Sequence, residues 1–253
     1  MTSPVVRMET IRKQHLYFVE GDERIDSAQP LPSVSGIAGA SDRGGDGLLW
    51  WAVNLYRQTG NPGEFVQSGK NSMKVGQQLH DQIYEYLETG EEPEGATPLF
   101  GAWYAAVNEL GVQFWGSELK VYHAGDKKLK IPPFGGTLDA LGYLDDEPVL
   151  LDWKTTDQFR VKTDPKTREI VREAKKFDST KYAVQLGGYV AALRDMKQRF
   201  PEWPQPTRAF LCYVFKDTFD VLWQEINLEN AVNAFVYCNY LYKALKPEGG
   251  FYA

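Results

Sequence analysis

Asp139, Asp152 and Lys154 are the residues whose types and spacing could do chemistry on a phosphate. Val149-Leu150-Leu151 begins an apolar run of strand type, and Asp145-Asp146-Glu147-Pro148 before it reads as a turn. Alternation along that strand sends Asp152 and Lys154 to one face, and Leu151 and Trp153 to the other. Residues 138–144 read as the preceding strand, so in an antiparallel hairpin Asp139 lies near Asp152. Two carboxylates and an ammonium then converge on one side of a sheet. Such a group can hold a divalent cation beside a fixed positive charge, which suits phosphodiester hydrolysis.

The tripeptide by itself carries no weight. Asp-x-Lys recurs at Asp126/Lys128, Asp164/Lys166 and Asp195/Lys197, and Glu-x-Lys at Glu118/Lys120 and Glu173/Lys175. Most of these fall in polar loops or helical stretches, where a solvated charge pair is the ordinary reading. Only Asp152/Lys154 combines an apolar lead-in with an upstream strand-borne Asp.

The elements that must position these residues follow from periodicity. Residues 15–19 read as an edge strand, and Ser33 or Ser35 as the N-cap of a short helical turn. Residues 48–56, with Trp50 and Trp51, read as a helix. A second helix spans residues 72–88, with His80, Ile83, Tyr84 and Leu87 on a common face and Gly90 as its stop. A histidine on an apolar face is most often a hydrogen-bonded core residue. Residues 90–95 read as an exposed linker and 99–110 as a third helix. Alternation then takes over. Residues 112–123 form one strand bent at Gly116, with Glu118, Lys120 and Tyr122 on one face and Leu119, Val121 and His123 on the other. With the hairpin this gives three consecutive antiparallel strands. Residues 157–178 read as a projecting hairpin or loop, 180–194 as a helix placing Gln185 and Tyr189 one turn apart, 208–215 and 219–226 as two strands, and 228–245 as a closing helix. The expectation is one α/β domain over residues 1–253 with a mixed sheet flanked by helices, helical at about 30–111 and with the core at about 112–245.

Composition bounds the function. A chain of 253 residues with 43% hydrophobic and 13% aromatic residues can bury a large core. It has no apolar run of membrane-spanning length, and its first residues lack the pattern of a signal or transit peptide. Only Cys212 and Cys238 are present, so a four-cysteine iron–sulfur cluster cannot be built, and a reduced cytoplasmic setting is expected. The net charge of −6 argues against a protein that coats nucleic acid. Residues 160–181, however, hold eight Lys/Arg against four Asp/Glu, a local basic segment that includes Lys175 and Lys176.

Taken in order, these motifs resemble the PD-(D/E)xK nuclease superfamily, in particular the RecB-type exonuclease branch with its phage and mitochondrial-maintenance members. The resemblance covers about residues 30–245. Leu31-Pro-Ser-Val-Ser35 resembles the entry motif, Lys74-Val-Gly-Gln-Gln-Leu-His80 the histidine helix, and Ser117-Glu118-Leu-Lys-Val-Tyr122 the first core strand. Gly136-Thr-Leu-Asp139 and Leu151-Asp152-Trp-Lys154-Thr resemble the two central motifs, and Gln185-Leu-Gly-Gly-Tyr189 the closing one. The sequence departs from the branch in lacking a proline before Asp139 and the cluster cysteines of some relatives.

The resemblance implies a restriction-endonuclease-like core and one or two Mg²⁺ or Mn²⁺ ions, without an iron–sulfur cluster. Asp139, Asp152, the Trp153 backbone carbonyl and His80 are the implied ligands. Lys154 would orient water or stabilise the transition state, with Glu118 partnering Lys154 or holding a ligand through water. Gln185 and Tyr189 would position DNA, and Lys175 and Lys176 would contact it. The implied activity is metal-dependent DNA exonuclease action, on single-stranded ends, in recombination, repair or replication. It would act alone or beside a separate recombination or single-strand-binding protein. The alternatives are a structure-specific or restriction-like endonuclease, or a non-catalytic nucleic-acid-binding module on the same fold.

Overall fold

The computed structural model describes residues 4–11, 14–41, 59–61, 64–128, 131–163, 170–175 and 178–245. The helix expected at 48–56, with Trp50 and Trp51, and the DNA contact assigned to Lys176 lie outside them. At the centre is a five-stranded mixed sheet in the order β10-β9-β6-β5-β4. Its strands are β4 (Gln113–His123), β5 (Phe134–Leu144), β6 (Glu147–Thr156), β9 (Arg208–Phe215) and β10 (Val221–Glu225). β4, β5 and β6 form the expected antiparallel meander, and β6 pairs with β9 in parallel.

Alternation along β6 and β9 divides the core in two. Leu150, Ala209, Leu211 and Tyr213 face one side, where they pack against α4 (Thr180–Met196), α5 (Leu228–Leu245) and the short α1 (Val34–Ala38). Val149, Leu151, Trp153, Phe210 and Cys212 face the other side, covered by α2 (Glu64–Thr89) and α3 (Pro98–Leu110). Helices on both faces of a mixed sheet make this an α/β fold. No described helix is long and apolar enough to cross a membrane.

A smaller sheet of β1 (Val5–Ile11), β2 (Gln14–Glu20) and β3 (Leu31–Pro32) packs on the α4 side. β1 was not anticipated, because its residues mix charged and apolar types without a clean alternation. Ser33 caps α1, its hydroxyl accepting from the Gly36 amide at 3.0 Å. In α2 the buried stripe contains Leu79 and Ile83, whereas Tyr84 is exposed, so the apolar face is rotated from the expected one. Residues 157–178 do contain a hairpin, β7 (Phe159–Thr163) and β8 (Ile170–Ala174).

Close helix contact depends on the paired glycines of α4. A Cβ on Gly187 would stand 2.1 Å from the Ala231 carbonyl oxygen of α5, and one on Gly188 would stand 2.5 Å from the Phe235 ring. Backbone cannot yield to a side chain without separating the helices. Gly187→Ala should therefore destabilise the fold by about 1–3 kcal/mol. Thermal unfolding checks this; an unchanged midpoint would show that the helices do not meet there.

Candidate metal and phosphate site

The site lies where β5 and β6 part. Their last paired residues are Ala140 and Leu151, and one step further the same register sets Asp139 opposite Asp152. There the side chains take over from the ladder. The Trp153 amide donates to Asp139 Oδ2 at 2.7 Å, and His80 Nε2 stands 3.2 Å from the Trp153 carbonyl oxygen. Both backbone groups of Trp153 thus point into the gap between the strands, while its ring is buried against Trp103, centroids 5.5 Å apart.

β4 brings Glu118 to the same place. Ser117 pairs with Ala140 and Leu119 with Leu138, which sets Glu118 across from Asp139. Glu118 has φ 48°, a left-handed conformation uncommon for a residue with a side chain, and a register shift lies just upstream between Phe114 and Gly116. Held strain of this kind concentrates at working sites. Further along β4 the register with β5 is regular, yet Val121, Tyr122 and His123 are all buried, so both faces of the strand are covered there.

His80 comes from the opposite side of the sheet. Gly76, one turn earlier on α2, lets the helix approach β6; a Cβ there would stand 3.0 Å from the Thr155 hydroxyl. The ligand atoms of His80, Glu118 and Asp139 lie within 4.8 Å of one another. Opposite ligands of one Mg²⁺ are about 4.2 Å apart. Adjacent ligands stand about 3.0 Å apart, so side-chain movement of about 1–2 Å closes this group on a small cation.

Asp152 is outside that trio. Its carboxylate is fully buried and ion-paired through Oδ2 with Lys154, and Oδ1 has no hydrogen-bonding partner among the described residues. Burial, with a smaller push from Asp139, raises its pKa to about 6 even against the Lys154 charge. Burial works against the Lys154 ammonium, but Asp152 and Asp139 outweigh it and hold its pKa above the ordinary lysine value. Burial, then the charge of Asp139, also raises Glu118. Of the two roles expected for Glu118, partner of Lys154 or ligand through water, the placement favours the second: Lys154 pairs with Asp152, and Glu118 lies with His80 and Asp139.

Gln185 and Tyr189 sit where expected. Gln185 Nε2 donates to the Tyr189 hydroxyl at 2.8 Å, and burial, with the charges of Asp152 and Asp139, raises the Tyr189 pKa well above the ordinary phenol value. A neutral phenol beside two carboxylates is a hydrogen-bond donor. Gly136 makes room for its ring, since a Cβ there would stand 2.7 Å from Tyr189 Cε1. Lys175 is further away, 3.4 Å from Asp157 past the end of β6.

Two aromatic neighbours escaped the sequence reading. Tyr17 of β2 hydrogen-bonds the Thr137 hydroxyl at 3.1 Å and feels the charge of Glu118, and Tyr182 of α4 lies under the Lys154 ammonium, 5.1 Å from the ring centroid. Tyr182 could have been found one turn before Gln185 on the same helix. Tyr17 had no such signal, because its strand belongs to the small sheet.

No protein-family model and no curated protein matches the chain. Among solved structures it is similar to that of SSO0001, with 13% identity and a TM-score of 0.41, covering 85% of this chain and 76% of that one. What stands is an α/β protein with a His–Glu–Asp group and a buried Asp–Lys pair at the divergence of two strands.

Proposed function

We propose that the protein is a metal-dependent DNA nuclease that hydrolyses phosphodiester bonds from free single-stranded ends. The convergence of His80, Glu118 and Asp139 beside the buried Asp152–Lys154 pair carries this reading. The donor set fits a hard divalent cation: two carboxylates and an imidazole, with the Trp153 carbonyl against the imidazole. The imidazole tilts the preference from Mg²⁺ towards Mn²⁺. Asp152 fits too, since its buried Oδ1 lacks a hydrogen bond among the described residues, a state that calls for a partner. A bound ion supplies Lewis acidity at the phosphate and at water.

The chain's own groups have definable parts. Asp139 holds the Trp153 amide, which keeps the carbonyl of the same residue turned to His80. Lys154, kept protonated by the two aspartates, places a fixed charge where negative charge grows on a phosphate oxygen. Gln185 fixes the Tyr189 hydroxyl, and the phenol's hydrogen is then free to orient a carboxylate or a phosphate. The order of the sequence motifs supports DNA as the substrate and an end-directed mode.

Two measurements test this. Calorimetry should detect Mn²⁺ binding that weakens as pH falls through about 6, because Asp152 takes up a proton there and a protonated carboxyl is a poor ligand; Glu118, raised by burial and by Asp139, acts in the same direction. Linear single-stranded DNA should be degraded while a covalently closed circle survives. Absence of Mn²⁺ binding at pH 8 would remove the reading; cleavage of the circle would make the enzyme an endonuclease.

A further inference from the structure

Beyond Lys154, a cleft of about 100 Å³ runs along the end of β6, lined by Lys154, Thr155, Thr156, Asp178, Tyr182 and Tyr213. Next in the chain after Thr156, Asp157 is shared by two ammonium groups, Lys175 at 3.4 Å and Lys216 at 3.7 Å. Both lysines are partly exposed, as is Asp157. Lys216 is anchored by its own amide, which donates to the Thr156 carbonyl at 2.8 Å, and its ammonium also reaches Ser72 of α2 at 3.5 Å. The base of the β7–β8 hairpin is fixed here as well: Asp217 accepts from the Gln158 and Phe159 amides at 2.8 and 3.1 Å. Asp178, the other carboxylate in the cleft, accepts from the Thr180 amide at 3.0 Å at the start of α4.

We infer that this cleft seats one unpaired nucleotide flanking the scissile phosphate, with Lys175 and Lys216 holding the next phosphate in place of Asp157. The inference rests on the proposed nuclease site. Its grounds are the layout of charge and shape. Lys154, the Thr155 and Thr156 hydroxyls and the Tyr182 ring line the cleft, and Asp157, the next residue after Thr156, carries a pair of cations that share its carboxylate. A carboxylate bridging two ammonium groups occupies the position a phosphate oxygen would take, and a phosphate brings more charge to the same pair. A cleft of about 100 Å³ is small, which favours a single unpaired base over a base pair. Tyr182 borders that space, so a base entering it meets an aromatic wall. A duplex end would have to fray to enter.

The test reads binding rather than cleavage, by anisotropy of labelled oligo(dT) with chelator present and across a salt series. Lys216→Ala should weaken binding several-fold and reduce the slope of log affinity against log salt by about 0.7, one phosphate contact on a single strand. Asp157→Asn should tighten binding about two- to fivefold, since an exposed competitor is removed. Tyr182→Ala should weaken oligo(dT) binding by about 5- to 100-fold yet leave an abasic oligomer unaffected. Unchanged affinity and slope in both Lys216→Ala and Asp157→Asn would overturn the inference, even if the wild type cleaves DNA. Conversely, the expected binding changes without any Mn²⁺-dependent cleavage would sustain the cleft and remove the nuclease reading. Failure of the wild type to bind oligo(dT) would remove both.

Discussion

Lys154→Met is expected to retain Mn²⁺ binding and to lose cleavage by about 10²- to 10³-fold, the usual effect of removing one preorganised charge from a transition state. The variant separates two roles that meet in one place. The ion would be held by His80, Glu118 and Asp139 with Asp152 beside them, whereas Lys154 offers no ligand and pairs with Asp152. Asp139→Ala should lose both properties, since it removes a ligand and the acceptor of the Trp153 amide. The fold should respond to Lys154→Met as well. Asp152 is fully buried and already raised to about 6, and losing the ammonium raises it further. A carboxyl with a raised native pKa contributes stability that is present below its unfolded value of 3.8 and is lost as pH rises through the native one. The variant should therefore be least affected at pH 5 and weakened by about 3–5 kcal/mol at pH 8, as a buried charge without a partner. Cleavage rates and urea midpoints at the two pH values check both halves. Full activity in the variant would dismiss the lysine's role.

Asp22→Ala should cost about 3–5 kcal/mol, although the residue is far from any motif. Its side chain is fully buried at the start of the β2–β3 connection, and it gathers three elements. Arg24 Nη2 reaches it at 2.8 Å, the Tyr122 hydroxyl of β4 donates to it at 2.9 Å, and Arg199, just past α4, donates at 2.9 Å. Arg24 goes on to Asp195 of α4 at 3.0 Å. Burial alone would raise the Asp22 carboxyl, but the Arg24 and Tyr122 hydrogen bonds bring it down to about 2. The sign is opposite to that of Asp152. Stability from Asp22 is present above its unfolded value of 3.8 and is lost as pH falls towards 2, an effect of about 2 kcal/mol. Denaturation between pH 2 and 6 should show an acid limb in the wild type that shrinks in Asp22→Ala. Equal midpoints for the two proteins at pH 6 would refute the role.

Much of the sheet could be read from the chain because its signals are local. The turn between β5 and β6 is the two residues Asp145 and Asp146, where the sequence suggested 145–148. That turn, the alternation of β6 and the glycines after α2 and α3 each depend on neighbours in sequence, and β4 through β6 follow in order. Asp139 and Asp152 come together just past the last pair of the β5–β6 ladder because hairpin register is set by a short turn, which is why their proximity was open to inference. Whatever depends on distant packing was not. The rotation of α2 that exposes Tyr84 is set by α3 and the sheet. Gly116 signalled a bend in β4, but not the left-handed Glu118 two residues on, which lies with His80 and Asp139 rather than with Lys154. The Asp22 network joins residues 100 or more positions apart through Tyr122 and Arg199, with no periodic pattern to mark it.

Digestion of a 5′- and 3′-end-labelled single-stranded oligonucleotide with Mn²⁺, beside a chelator control and Asp139→Ala, tests the central claim most directly. The account predicts progressive shortening from an end by the wild type with Mn²⁺ or Mg²⁺, and none in either control. An oligonucleotide left intact by the wild type with both ions, or shortened equally by Asp139→Ala, would contradict it.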